Sequence, residues 1–342
     1  MENSYSDKYY NLTPNLKICR IINGMWQIAG GHGHIDSQQA IVEMSRYHIA
    51  GFTTWDLADI YGPAEDFIGK FRRMLSQARG DKEVEKIQAL TKWVPDPQRI
   101  SRSMVQSAIE RSLSRMETKS IDLIQFHWWD YNNPYYIDAL RYLSDLQNSG
   151  KIKNVGLTNF DTDRMQIIKD ADIDVVSNQV QYSIIDRRPE VKMTDFCQEN
   201  NIKLLTYGTV CGGLMSDRYL GRQEPTQSDL NTLSLRKYQR MVDAWGGWRL
   251  FQELLSTLKG IAQKHGNGIS IANVATRYIL DKPVVAGIII GVRLGIADHR
   301  EDNSHAFSLN LNNDDVNSIE EVCSKSNDLF ERIGDCGNEY RQ

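Results

Sequence analysis

No run of about 18 consecutive apolar residues occurs in this sequence, so a membrane-crossing helix is not expected. The opening residues, MENSYSDKYYNL, lack the apolar core of a secretion signal, and a soluble, cytoplasmic protein is expected. A basic surplus is missing as well. With 40 Lys and Arg against 44 Asp and Glu, the net charge of -4 offers nothing to nucleic acid or to an anionic membrane. Cysteine is sparse and badly spaced for pairing or metal. Cys19, Cys197, Cys211, Cys323 and Cys336 are odd in number and contain no C-x2-C, so neither a disulfide framework nor a zinc site is expected. His32 and His34, in GGHGH, fit a glycine-rich loop over a cleft better than a metal pair, and no metal is expected. No G-x-G-x-x-G is present, so a dinucleotide would have to be held without a Rossmann turn.

What is present alternates. Arg20 to Gly24 predicts a strand, Ser37 to His48 a helix, and the β-branched and aromatic run Phe52-Thr53-Thr54-Trp55 a second strand that stops at Asp56. Strands then follow at 84–92, 121–127, 155–158, 175–179, 203–207 and 287–291, with helices at 103–116, 134–149, 162–169, 191–199 and 269–280 between them. Eight strand-plus-helix units, with unbroken apolar runs such as Ile288-Ile289-Ile290, predict one (β/α)8 TIM barrel spanning residues 1–342. Residues 211–268, after the seventh strand, are far too long for an ordinary connection and predict a flap or extra helices over one face. A helix is expected at 314–323, followed by a polar tail near the same face.

Polar residues gather at the strand ends: Asp56, Lys92, His127, Asn159, Gln179 and Tyr207. In a barrel those ends form the catalytic rim. Lys92 closes the buried run 87–91 and needs a charge partner, for which Asp56 is placed. Five residues after Asp56 comes Tyr61, then the turn Gly62-Pro63 and an acidic first helical turn. An isolated D-x4-Y is nearly always a capping acid and a packing phenol. Several such groups converging on one rim point to chemistry instead.

At these motifs the sequence resembles the aldo-keto reductase superfamily over nearly its whole length. The segments WDLADIYGPAE at 55–65, Thr91-Lys92, SLSRMETKSIDLIQFH at 112–127 and GKIKNVGLTNF at 150–160 carry the likeness in order. The resemblance implies an NADP-dependent oxidoreductase that interconverts carbonyls and alcohols, with Asp56, Tyr61, Lys92 and His127 as a catalytic tetrad. A tyrosine ordinarily titrates near 10; an adjacent ammonium would lower that and ready Tyr61 as the proton donor, while His127 would hydrogen-bond the same carbonyl oxygen. It further implies that Asn159 and Gln179 hold a nicotinamide carboxamide, that Thr158 is a cofactor-binding residue, that Tyr207 stacks on the nicotinamide ring, and that Gly208 to Leu214, with Arg218, cross the pyrophosphate. Gly291, Arg293, His299 and Asn303 resemble the family's adenosine site, where Arg293 can fork onto a 2′-phosphate, so NADP(H) is expected over NAD(H). Arg300 adjoins His299, which leaves open which cation reads that phosphate.

Trp26, Trp55, Trp93, Trp128 and Trp129 lie near strand mouths; some must be core, and Trp26 and Trp128 are taken as substrate residues. Trp245-Gly246-Gly247-Trp248-Arg249 in the long insert is expected to form a pocket wall or an interface. The partner is expected to be a small carbonyl compound, neither nucleic acid nor membrane, with oligomeric state left open. The rival readings are a nucleotide-sensing regulatory subunit with slow turnover and an unrelated phosphate-binding barrel such as an isomerase.

Overall fold

In a computed structural model that describes residues 7–30, 35–266 and 268–341, eight parallel strands close into a barrel. The chain begins with a hairpin, β1 (Tyr9–Thr13) and β2 (Leu16–Cys19), paired antiparallel. The barrel strands are β3 (Ile21–Gly24), β4 (Thr54–Asp56), β5 (Gln88–Trp93), β6 (Leu123–His127), β7 (Val155–Thr158), β8 (Ser177–Gln181), β9 (Lys203–Tyr207) and β10 (Val285–Gly291). Each pairs with its successor, and β10 closes on β3 through Ile288 opposite Ile21 and Gly291 opposite Gly24. The sequence-based strand at 84–92 starts four residues later than expected because Asp81–Val84 forms a helical turn, and the strand expected at 175–179 lies two residues further on.

Strand parity divides the interior. Successive side chains alternate between the barrel lumen and the helix layer. Leu90, Leu123 and Leu205 pack inward with Ile22 and Ala286, while Ala89, Ile124, Phe126 and Leu204 join the larger cluster beneath the helices. The hairpin, which the sequence pattern did not reveal, closes the lower mouth: Leu12, Leu16 and Ile18 complete the inward cluster. The lumen is therefore apolar below and polar above.

Helix starts follow the sequence closely. Asp36, Ser101 and Asp161 each accept a hydrogen bond from the backbone N–H three residues on, capping the helices Ser37–Ile49, Arg102–Arg115 and Thr162–Asp170. The long insert holds two helices, Leu233–Trp245 and Gly247–Lys264. Trp245 and Trp248 are buried, and Trp248 donates from Nε1 to the Arg222 carbonyl at 2.9 Å. They support the insert and line no part of the upper cavity, so of the two expectations, a pocket wall or an interface, the wall is not met. Among the described residues, no helix is long and apolar enough to cross a membrane.

The helix Ala64–Arg79 reaches its neighbour through Gly69, where a Cβ would lie 2.2 Å from the Arg115 carbonyl oxygen. A methyl there must push two helices apart. Gly69→Ala is expected to lower stability by about 1–3 kcal/mol despite alanine's better helix propensity, as read from the urea midpoint.

Candidate active site

The polar upper lumen is organised around one carboxylate. Asp56 ends β4, and Lys92, one strand over on β5, places Nζ 2.7 Å from Oδ1 and 2.6 Å from Oδ2. The third ammonium proton goes to the Leu57 carbonyl at 3.0 Å. Gln125 on β6 and Gln179 on β8 each donate from Nε2 to Asp56 Oδ1, at 3.0 and 2.7 Å, and Gln179 also donates to Gln125 Oε1 at 2.6 Å. All four side chains are buried. Gln125 was not singled out from sequence, although it shares the inward parity of His127 two residues later.

Above this layer sits a cavity of about 320 Å³. Its walls include Asp56, Tyr61, Lys92, His127, Thr158, Asn159, Gln179, Tyr207, Gly208 and Gly291, which unites all four expected catalytic residues with much of the expected cofactor set. Tyr61 lies against Lys92, whose Nζ is 4.9 Å from the ring centroid. The expected lowering of the Tyr61 pKa does not occur. Burial, then the charge of Asp56 and the neighbouring Tyr340 and Asp59, push the phenol well above its usual value. Desolvation prevails over the ammonium, whose three protons go to Asp56 and Leu57 and whose field the carboxylate offsets. At neutral pH Tyr61 is a phenol, the state a proton donor needs.

His127 is buried, and its Nδ1 lies 3.0 Å from the Thr158 carbonyl oxygen. Burial brings its pKa down to about 4, so the ring is neutral near pH 7. The other ring nitrogen, Nε2, is buried beside the cavity and has no hydrogen-bond partner among the described residues.

Two groups have complementary capacity left for a ligand. Asn159 Oδ1 accepts from the Tyr207 hydroxyl at 2.8 Å, which leaves its NH2 to offer. Both amide protons of Gln179 are spent on Asp56 and Gln125, which leaves its oxygen. A donor and an acceptor side by side suit a primary carboxamide. Thr158 Oγ1 is buried with no partner among the described residues, a further orphan at this rim. Gly291 borders the same space, since a Cβ there would meet Gln27 Nε2 at 2.0 Å.

Several expectations need correction. Trp128 is buried, donating from Nε1 to the carbonyls of Asp130 and Asn133 at 2.7 and 2.9 Å; Trp129 lines the cavity in its place, beside Trp26. Trp55 and Trp93 belong to the core under the helices. Leu214 is fully buried, and Arg218 lies over the Tyr219 ring at 5.5 Å, so neither reaches the cavity. Besides Lys92, a second cation lines the cavity: Lys237, on the insert helix, which no sequence motif marks. Arg293, His299 and Asn303 lie beyond the cavity on the turn and short helix after β10, where Arg300 is held to Asp298 at 2.8 Å. The GGHGH loop, with His32 and His34, falls outside the described residues.

The polar tail does close over the rim. Lys237 donates to the Tyr340 hydroxyl, which lies 3.1 Å from that of Tyr207. Glu339 accepts from Arg188 NH1 at 2.9 Å, and Arg341 donates to the Trp128 carbonyl at 2.6 Å. Gly337 has φ +88°, and a Cβ would stand 2.1 Å from the Asn159 carbonyl oxygen, so only glycine lets the tail settle there.

Comparison with known proteins identifies the fold and its lineage. The Aldo/keto reductase family profile matches residues 20–324. The chain belongs to the aldo/keto reductase family. Aldo-keto reductase YhdN of Bacillus subtilis is 26% identical over 275 residues, 78% of this chain and 79% of that protein. The NADH-specific methylglyoxal reductase of Escherichia coli is 23% identical, over 91% of this chain and 96% of the relative. The chain spans about half (49%) of the flagellar radial spoke protein 5 of Chlamydomonas reinhardtii, to which it is 26% identical over 66% of its own length. Among solved structures, an aldo/keto reductase of Klebsiella pneumoniae with NADP and acetate superposes with a TM-score of 0.69 at 21% identity, covering 92% of this chain and 95% of that one. The glycerol dehydrogenase AKR11B4 of Gluconobacter oxydans gives 0.73 at 19%, over 96% and 97%. Family membership makes this chain an oxidoreductase and sets aside the isomerase reading.

The depressed His127 pKa has a signed consequence for stability. As pH falls through 6.5 the unfolded imidazole takes a proton that the folded one refuses until about 4, so stability present above 6.5 is lost towards pH 4. Asp59, whose carboxyl burial pushes up to about 6, works in the opposite sense and is common to wild type and variant. Between pH 7 and 5, the wild type is expected to lose about 1–2 kcal/mol more than His127→Leu, measured by urea unfolding at both pH values.

Proposed function

We propose that the protein reduces aldehyde or ketone carbonyls with NADP(H), or oxidises the corresponding alcohols, with Tyr61 as the proton donor or acceptor. The observation that carries this reading is the Tyr61 phenol held protonated at a cavity beside the Asp56–Lys92 ion pair. A bound nicotinamide supplies hydride. Tyr61 gives its proton to the carbonyl oxygen as negative charge develops there, and Lys92, fixed by Asp56, lowers the cost of the phenolate left behind. Trp26, Trp129, Ile60 and Val94 offer an apolar wall that excludes water and suits flat or apolar substrate groups.

For the cofactor, the NH2 of Asn159 and the oxygen of Gln179 complement a carboxamide, Thr158 adds its hydroxyl, and Tyr207 supplies a ring face. Gly208 and Gly212 bring the backbone to the cavity next to Ser234 and Lys237, where a pyrophosphate finds a cation. Gly291, Arg293, His299 and Asn303 would take the adenosine end, with Arg293 on the 2′-phosphate. Relatives point both ways on coenzyme, one described as NADH-specific and one solved with NADP.

Tyr61→Phe is expected to cut carbonyl reduction by about 10²- to 10⁴-fold while NADPH still quenches tryptophan fluorescence; undiminished turnover would remove Tyr61 from the acid role. Because the phenol titrates high, reduction should be flat through neutral pH and alcohol oxidation should rise with pH. Titration with both coenzymes should show NADPH binding tighter, and Arg293→Ala should weaken NADPH more than NADH. Equal losses would put the phosphate site elsewhere, and tight binding without oxidation by any of a panel of aldehydes would overturn the reductase reading.

A further inference from the structure

Tyr61 stands on the loop that joins β4 to the helix Ala64–Arg79 and not on a strand, so the place of its hydroxyl depends on how that loop is held. One dipeptide of β5 holds both ends of it. Lys92 faces the lumen and grips Asp56, the last residue of β4. Thr91, its neighbour in the strand, faces the helix layer and donates from Oγ1 to Glu65 Oε1 at 2.7 Å, in the first turn of the helix. Tyr61 lies between these two grips.

Glu65 is the member that chemistry at the rim does not explain. An acid in the first turn of a helix is served well enough by solvent and by the backbone N–H groups there, and Asp66 beside it is only partly buried. Glu65 is 1% exposed and turned inward. A buried carboxylate is costly unless its oxygens are met. One oxygen takes the Thr91 hydroxyl, and the other takes Arg115 NH1 at 3.3 Å. The same guanidinium nitrogen donates to the Asp59 carbonyl at 3.4 Å, two residues before Tyr61. Asp59 is tied to β5 as well, its N–H donating to the Lys92 carbonyl at 3.0 Å and its Oδ1 accepting from the Val94 N–H at 3.2 Å. Glu65, Thr91 and Arg115 do not line the cavity.

We propose that Glu65, held by Thr91 and Arg115, is a positioning residue for Tyr61. It is the outward counterpart of Asp56: the carboxylate in the lumen fixes the start of the Tyr61 loop, and the carboxylate under the helices fixes its end, so that the phenol meets the reacting oxygen. This rests on the reductase reading above and adds to it a group that acts only through the loop.

Thr91→Val removes the hydroxyl and keeps the shape of the side chain, whereas Thr91→Ser keeps the hydroxyl. Thr91→Val is expected to lower kcat at least about tenfold, since a displacement of about 1 Å set far from the chemistry has effects of that order. NADPH affinity, read by tryptophan quenching, should stay within about twofold, and Thr91→Ser should return kcat to within about threefold of the wild type. A lower urea midpoint with kcat unchanged is what packing alone would give, and it overturns the proposal. An equal loss in Thr91→Ser, or a loss confined to NADPH affinity, overturns it too. If Thr91→Val does not fold, Arg115→Met is read in its place, because that side chain is one-third exposed and its loss frees both Glu65 and the Asp59 carbonyl; an unchanged kcat there is also fatal. If the wild type reduces no carbonyl compound, the reductase reading is what fails. The proposal is then judged from fluorine spectra of protein labelled with 3-fluorotyrosine, with Tyr61→Phe assigning its signal among the 15 tyrosines. Thr91→Val should shift or broaden the Tyr61 signal and Thr91→Ser should leave it in place; a signal unmoved in both overturns the proposal.

Discussion

The Asp56–Lys92 ion pair is the constraint on which the upper barrel depends. Both charges are buried, and such a pair is tolerable only when its remaining hydrogen-bonding capacity is filled. Here it is: Leu57, Gln125 and Gln179 complete the shell, so strands β4, β5, β6 and β8 are tied to one carboxylate. Removing one partner would strand the other at a cost of about 3–5 kcal/mol. The same saturation decides the chemistry. Since Lys92 has no proton left for Tyr61, it acts on the phenol through space alone, and the phenol stays protonated.

Strand parity explains which site residues are legible in the sequence and which are not. Asp56, Lys92, His127 and Tyr207 could be found because each ends a buried run whose period points it inward. Carried two residues either side of His127, the same alternation reaches Gln125 and Trp129, both of which the structure places at the site. Trp128, Trp93 and Trp55 have the opposite parity and belong to the layer under the helices. Trp128 differs from His127 in phase: a large aromatic next to an inward-facing residue on a strand is, by that adjacency, on the other face. The barrel followed from eight alternating units, whereas the hairpin beneath it did not, because its short strands lie ahead of the first barrel strand and carry no periodic run long enough to recognise.

The rest of the rim comes from late in the chain and from long range. Lys237 sits on an exposed-looking insert helix, and Tyr340 lies within three residues of the end; nothing local in either segment marks it as cavity lining. Their place is set by tertiary anchors: Glu339 on Arg188, which Asp186 also holds, Arg341 on the Trp128 carbonyl, and Gly337 against Asn159. The glycine was the available signal, since a residue at positive φ close to another backbone excludes every side chain. Without knowing what it touches, sequence alone could not assign that closeness to the active site.

The protonation states at the cavity follow from burial acting on two groups of opposite charge type. Burial disfavours the charged form of each, raising the Tyr61 phenol and lowering the His127 imidazole, so both are neutral over the same broad range of pH. One desolvated pocket thus holds a phenol and an imidazole with no net charge on either, above an ion pair whose two charges answer each other. An oxygen gaining negative charge beside Tyr61 would therefore be met by a neutral donor rather than by a formal cation.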